Sequence, residues 1–401
     1  MFEVREVPES DLGQVVELAA IAFHERDDEE EDRERHLWLL RQAVRVGAYE
    51  GDRLVGFVGS VPLRISVPGG SLPCGGVTDV VVMPTHRRRG ILTAMMGRLW
   101  EVIDEPLAAL YASEATIYGR YGFGSANRFS EIEVHSDKPW EPRIEADPRP
   151  LRMVSLEEAP KVLTPLYERA AARRPGQIHR DEEWWRRWVL RSKDFWDENL
   201  TQPRVVVLED AGYVVYRTKE EDETTGTPGV VQVMELEGDS PAVEAALWRY
   251  LASIDLTRRI QARSRPVDDL VQLLAADPDT VRVRNTWQAL WLRLADLPAA
   301  LERRGWAEPV DVVLDVADAR LPANAGRWRL RVTEDTATCE RTDASPDLSL
   351  DVRELGAVYL GGTPLTALAR TGIVAEHTPG TAQRLDRSLN VPLAPYTVDD
   401  F

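Results

Sequence analysis

The chain has 401 residues, with 67 Asp and Glu against 49 Lys and Arg and a formal net charge of −18 at pH 7. A single hydrophobic core stops growing near ~250–300 residues, so the length predicts two or three domains. The acidic balance argues against nucleic acid as the main partner, because phosphate binding needs a basic field; it either favours encounter with cations or serves solubility alone.

No apolar run approaches the ~20 residues of a membrane span, and the opening MFEVREVPESDLGQ carries acids early without an apolar signal core. A cytoplasmic protein with no membrane partner is therefore expected. Cys74 and Cys339 are too few and too far apart for a disulfide framework. His24, His36, His86, His135, His179 and His377 are scattered with no HExxH pair, so no metal is expected.

In chain order, residues 2–6 alternate like a strand, and Leu12, Val15, Val16, Ala19, Ala20 and Phe23 recur at helical spacing behind an N-cap region at 8–11. A very acidic stretch, 25–34, leads into a second helix, HLWLLRQAV. Strand, Gly51-Asp52 turn, strand, Gly69-Gly70 turn and strand follow, ending in VTDVVVMP. THRRRGILTAMMGRLWEVI opens a helix with Ile91, Leu92, Met95, Leu99 and Val102 on one face, and LAALYAS reads as a buried strand.

A second unit loosely repeats this order. It has helices at VSLEEAPKVLTPLYERAA and DEEWWRRWVLRSKDFW, strands at VVVLEDAGYVVYRT and VVQVMELEGD, and a helix capped by Ser240-Pro241. Trp184, Trp185 and Trp188 read as a core stripe, with a partner surface as the other option. From about Thr286 the pattern becomes α+β: a capped helix LPAALERRGW, strands VDVVLDV, RWRLRV and ATCERT, then LSLDVRELGAVYLGG and TPLTALART. The predicted segments are 1–148, 149–285 and 286–401.

The stretch from Val77 to Thr93, VTDVVVMPTHRRRGILT, holds the most chemistry. An apolar strand enters a basic loop that opens straight into a helix. Free N–H groups at a helix N-terminus beside arginines form an anion site, and Gly90, with no Cβ, lets the backbone approach a diphosphate. On these residues alone, a solvated basic turn is an equal reading.

The run Arg87-Arg88-Arg89-Gly90-Ile91-Leu92 after Val80-Val81-Val82 resembles the acetyl-CoA loop of GCN5-related N-acetyltransferases (GNAT), Q/R-x-x-G-x-G/A, with Leu92 in place of the final small residue. That departure resembles the Eis (enhanced intracellular survival) acetyltransferases. So do the run ASEATIYGRYGFG at 112–124 and the terminal Val398-Asp399-Asp400-Phe401.

The resemblance implies an α/β fold: two tandem GNAT-like domains, the second degenerate, followed by a sterol-carrier-protein-like α+β domain that presents the C-terminus. It implies that backbone groups of Val80, Val81 and Val82 pair with the pantetheine arm of acetyl-CoA. Arg88, Arg89, Gly90, Ile91, Leu92 and Thr93 would cradle the pyrophosphate, and Ser113 and Glu114 would flank the thioester. Tyr118 would protonate the departing thiolate, with Tyr121 as a stand-in, and the C-terminal carboxylate of Phe401 would take the amine proton. Glu25, Trp38 and Asp400 would line an amine pocket, a solvated acidic face being the other reading, and Asp79 is an acid the family pattern does not demand. An aminoglycoside-like cation, a protein lysine or a small metabolite are the acceptors weighed, with a hexamer as the family's assembly. A non-catalytic lipid or acyl-CoA carrier is the alternative of another class.

Overall fold

A computed structural model of the chain describes residues 2–24, 30–136, 140–195, 197–221 and 226–401. The fold divides into two compact units. One comprises Met1–Ala126, Ala289–Val391 and Asp400–Phe401, and the other Asn127–Gln288 and Pro392–Asp399.

The first unit is built on two sheets. Its seven-stranded sheet runs in the order Glu3–Glu6, Val44–Glu50, Arg53–Val67, Gly70–Val82, Leu107–Tyr111, Leu290–Leu294, Gly124–Ser125. The longest hairpin closes through Pro68-Gly69, with Val67 paired to Gly70 and Gly69 at φ +82°; proline followed by a left-handed glycine is the sequence of a type II turn. Helix Leu12–Phe23 buries Leu12, Val15, Val16, Leu18 and Ala19, and helix Ile91–Trp100 buries Ile91, Met95, Met96 and Leu99. The buried positions of both helices recur at helical spacing, but the buried set differs from the one read from the sequence: Leu18 and Met96 join it, Phe23 is exposed, and Ala20, Leu92 and Val102 are half-buried.

The second sheet of this unit has the order Ala337–Arg341, Gly326–Val332, Val310–Ala317, Leu348–Asp351, Ala375–Glu376. In Gly326–Val332, Trp328, Leu330 and Val332 are buried while Arg327, Arg329 and Arg331 are exposed, the period-two pattern of a sheet with one wet face. Leu72, Leu107 and Leu292 of the first sheet share a continuous core with Leu314, Leu330 and Leu350 of this one. Residues 381–389, where the sequence pattern announces no element, form a helix, Thr381–Leu389, that buries Ala382, Leu385 and Leu389.

The other unit carries a seven-stranded sheet in the order Val281–Gln288, Arg128–His135, Arg259–Pro266, Val230–Gly238, Gly212–Lys219, Arg204–Leu208, Leu151–Val154. Two strands therefore lie in the sheet that chain order would not suggest. Arg128–His135 follows the first domain's elements yet pairs with Arg259–Pro266 and Val281–Gln288, while Leu290–Leu294 pairs with Leu107–Tyr111 and Gly124–Ser125. LWLRL is buried at all five positions, so both faces of this strand are covered.

The helix expected over DEEWWRRWVLRSKDFW is cut short. Asp181 caps Glu182–Trp184, a π turn follows at Trp185–Val189, and the helix ends by Leu190. The buried guanidinium of Arg217 explains the stop. It donates to the carbonyls of Arg191 (2.6 Å), Ser192 (2.9 Å) and Thr201 (2.9 Å), so the carbonyls of 191 and 192 are turned toward it. Of the three tryptophans expected as a core stripe, Trp184 and Trp185 are buried and Trp188 is half-buried.

In this unit the segment Pro392–Asp399 is docked by polar contacts. Asp399 accepts from Arg180 Nε (2.9 Å), Trp184 Nε1 (2.8 Å) and Tyr167 Oη (3.1 Å), and Arg180 Nη1 donates to Glu235 (2.9 Å). The Arg180 guanidinium also lies 3.8 Å from the Tyr167 ring centroid. Burial opposes its charge, but Asp399 and Glu235 outweigh it and hold Arg180 protonated. Removing one member of a buried, hydrogen-bonded charge group strands the other. Asp399→Ala is accordingly expected to lower unfolding free energy by about 3–5 kcal/mol in denaturant titrations. Leu273→Ala, at a side chain 69% exposed, should stay within ~0.5 kcal/mol of the parent.

Candidate active site

The strand Gly70–Val82 is paired along one edge with Arg53–Val67. On its other edge the parallel partner Leu107–Tyr111 is in register only from Cys74–Leu107 to Gly76–Ala109. Beyond Gly76 no strand among the described residues pairs with that edge. The register against Arg53–Val67 also slips between Val81 and Thr78, where Asp79 takes φ +49°. This is a β-bulge, a feature that re-aims side chains and ends pairing. Val80 thus completes the bulge with Asp79, and Val81 and Val82 lie just past it, on a strand with one edge left unpaired.

That strand runs into the basic loop. Arg88 (φ +62°) and Gly90 (φ +81°) are left-handed on either side of Arg89, and Gly90 is the N-cap of helix Ile91–Trp100 with no side chain capping it. The N–H groups of Ile91, Leu92 and Thr93 have no partner within the helix, as in any first turn, so the loop presents donors and the positive end of a helix dipole to an anion. Arg87 and Arg88 are exposed, with no ion-pair partner among the described residues. Arg89 is tied to Glu50, which also accepts from His86 Nε2 at 3.1 Å. Arg89 and, next, His86 hold the Glu50 carboxyl below its ordinary range. Of the two arginines assigned to a pyrophosphate, Arg88 reaches outward and Arg89 braces the loop.

Past the end of Leu107–Tyr111, Ser113 and Glu114 are exposed, and the chain turns through helix Ala115–Tyr118 and the 3-10 turn Gly119–Tyr121. Tyr118 is buried and stands edge-on to Phe123, ring centroids 6.3 Å apart. Burial pushes its phenol up to about 12, a hydrogen bond with Ser113 acts against the rise, and Glu114 adds to it. Ser113, Glu114 and Tyr118 are thereby brought together. The Tyr121 hydroxyl lies 3.1 Å from Thr93 Oγ1, which joins this turn to the first turn of the loop helix.

Phe401 is half-buried where the two parallel strands part. Its ring stands edge-on to Tyr111, centroids 5.8 Å apart, and a Cβ built on Gly76 would come within 3.0 Å of it. Asp400 is exposed. Trp38 is half-buried on helix Glu30–Gln42, and Glu25 lies outside the described residues. The sequence reading missed His36 on this helix, whose Nε2 lies 2.7 Å from Asp79 Oδ2. An acid inside a strand was the signal that some cation or proton donor must meet it.

The equivalent turn in the other unit is closed. Strand Val230–Gly238 leads to helix Pro241–Ala252, but Ser240 caps it by accepting from Val243 N, and Asp239 is paired with Arg169 (3.0 Å) and Arg173 (3.1 Å). An acid stands where an anion would bind. Among the described residues no group of three or more His, Cys, Asp or Glu could hold a metal ion, and no helix is long and apolar enough to cross a membrane.

Comparison with known proteins matches this architecture to three family models: an acetyltransferase (GNAT) domain at residues 3–126, a second at 176–294, and a sterol carrier protein domain at 297–398. The chain is 40% identical over 385 residues to an N-acetyltransferase of Streptomyces avermitilis, covering 93% of each. It is 33% identical over 383 residues to the N-acetyltransferase Eis of Mycobacterium tuberculosis, covering 89% of this chain and 88% of that one. The crystal structure of Eis1 from Mycobacterium abscessus superposes over the full length of both chains with a TM-score of 0.87 at 32% identity.

Two glycines of the loop helix should respond in opposite directions to a methyl group. A Cβ would meet nothing at either Gly90 or Gly97, but only Gly90 has φ > 0. Gly90→Ala is expected to lose about 1–2 kcal/mol from the left-handed backbone alone, whereas Gly97→Ala should gain roughly 0.5–1 kcal/mol as a helix-interior replacement. Denaturant unfolding of the two variants reads both signs.

Proposed function

Because the chain belongs to the Eis-type GCN5-related N-acetyltransferases, a superfamily whose acetyltransferases use acetyl-CoA, we propose that it passes the acetyl group directly to an amine of a cationic substrate, aminoglycosides being the leading class. The observation that carries this reading is the open edge of Val80–Val82 running into the uncapped, arginine-flanked start of helix Ile91–Trp100. An extended pantetheine arm completes the sheet edge as an added strand, and the diphosphate meets the first-turn N–H groups of Ile91, Leu92 and Thr93, with Gly90 allowing close approach and Arg88 supplying charge.

With the diphosphate at the helix, the thioester lies toward the bulge, flanked by Ser113 and Glu114. The amine lone pair attacks the thioester carbonyl carbon, the C–S bond breaks, and the sulfur takes the Tyr118 proton. The proton lost from the attacking nitrogen goes to the Phe401 carboxylate, and Tyr118 regains its own from solvent. A phenol with its pKa pushed up to about 12 remains protonated across the working range and can donate as thiolate charge develops. Trp38, Glu25 and Asp400 hold the cationic acceptor, the aromatic face adding cation–π attraction, and the net charge of −18 draws polycations inward. On the same reading the protein works in the cytoplasm as a homo-oligomer, a hexamer, which sedimentation would check.

Tyr118→Phe and removal of Phe401 alone are each expected to reduce turnover by at least roughly two orders of magnitude, the range for losing a general acid or base. Calorimetry should still register acetyl-CoA binding by both. Turnover within a few-fold of the parent in the one-residue truncation would take the tail out of the mechanism. Transfer to lysine peptides but to no aminoglycoside would change the acceptor class. A pH series is a separate check: a phenol raised to about 12 keeps its proton as pH rises, so turnover of the parent should show no fall from Tyr118 ionisation below roughly pH 10.

A further inference from the structure

The turn that carries Tyr118 is held from below by residues of the last two hundred positions, and the sequence reading assigned none of them. Arg293 sits in LWLRL, the strand inserted beside Leu107–Tyr111, and its side chain is 0% exposed. Its Nη1 donates to the carbonyl of Tyr121, and its Nη2 forks onto Asp318 at 2.9 and 2.7 Å. Asp318 is itself fixed: it accepts from the backbone N–H of Arg320 and of Leu321, both at 2.9 Å, and from Asn324 Nδ2 at 3.3 Å. The planar guanidinium is held at Nη1 by a carbonyl and at Nη2 by a carboxylate that is itself fixed, which sets its orientation, while its buried Nε has no hydrogen-bond partner among the described residues.

Two further contacts extend the arrangement. Arg320 Nε donates to the carbonyl of Arg120 at 3.1 Å, and its guanidinium lies 5.0 Å from the Tyr121 ring centroid. At the other end of that ring, the Tyr121 hydroxyl meets Thr93 Oγ1, in the first turn of helix Ile91–Trp100. Gly122 completes the fit. It has φ +83°, and a Cβ there would overlap Arg293 Nη1, so the turn and the guanidinium are shaped to each other.

We propose that Arg293, oriented by Asp318, is a positioning residue for acetyl transfer: it sets the height of the Tyr118–Gly122 turn and, through the Tyr121–Thr93 bond, locks that turn to the helix that faces the diphosphate. This rests on the reading of Tyr118 as the acid and of the helix start as the diphosphate site. The sterol-carrier-like domain then acts on the chemistry through Asp318 and Arg320, in addition to bearing the chain's end. A displacement on the order of 1 Å in a group that must reach the leaving sulfur is enough to cost up to about a hundredfold in rate.

The test compares Asp318→Asn, which keeps shape and removes the counter-charge, with Arg293→Lys, which keeps charge and removes the fork. Turnover at saturating substrates, acetyl-CoA Kd by calorimetry and the thermal midpoint are read together. The expected result is a fall in kcat of roughly ten- to a hundredfold, with acetyl-CoA Kd within about threefold of the parent. A lowered midpoint with kcat unchanged in the folded protein would mean that the pair only stabilises, and would overturn the proposal.

Should neither variant fold, Tyr121→Phe and Thr93→Val each delete one end of the hydroxyl contact. The two should lower kcat by a similar factor, and the double variant should be no slower than either, since both break one link. Losses that multiply, or near-parental kcat in all folded variants, would refute it. Absence of transfer by the parent protein to every amine would instead count against the acetyl-transfer reading itself.

Discussion

Every backbone N–H and C=O taken from water needs a partner, and a sheet edge without a neighbouring strand offers its unpaired groups to water or to another extended chain. The parting of Gly70–Val82 from Leu107–Tyr111 after Gly76 opens such an edge. The bulge at Asp79, the left-handed residues at Arg88 and Gly90, and the ring of Phe401 wedged against Tyr111 and Gly76 all lie along this one opening. Each would be an oddity elsewhere in a sheet. Together they leave a row of unpaired backbone groups, an uncapped helix start at one end and a buried phenol nearby, which is what the proposed site for an extended ligand rests on.

The two copies of the acetyltransferase architecture show what keeps such a site open. Both have a strand that enters a helix through a short turn. In the first, glycine stands at the cap and leaves the helix start unfilled; in the second, Ser240 satisfies a first-turn N–H and Asp239 collects Arg169 and Arg173. A helix N-terminus attracts whatever negative charge is at hand. Where the chain supplies its own acid, as in the second unit, the helix start is already answered from within.

Much of this was legible in the sequence for reasons that are local. Val80–Thr93 announces itself because strand, glycine, arginines and helix fall within a few positions, and the helix stripe of Ile91, Met95 and Leu99 depends only on neighbours three and four apart. The destination of LWLRL could not be read the same way. Its five residues say that it is buried on both sides, yet they do not say beside which strand, because pairing over nearly two hundred positions leaves no periodic mark. Arg293 within that run was the available hint: a cation in an apolar strand requires a buried anion, but only the fold shows that the anion is Asp318. The same holds for Asp399. Its motif resembled a family's ending, while its partner Arg180 stands in an unremarkable stretch of the second unit.

Strand order also bears on how the protein is made. The place between Leu107–Tyr111 and Gly124–Ser125, one strand in from the sheet's end, is filled by Leu290–Leu294, so the first sheet cannot be completed while the ribosome is still translating the segment between. At a synthesis rate of ~5–20 residues per second, the apolar slot stays vacant for roughly 10–40 s. During that interval Ala109 and Leu110, buried in the finished sheet, are open to chaperones or to a neighbouring nascent chain. An excised N-terminal acetyltransferase segment would remain in that unfinished condition permanently.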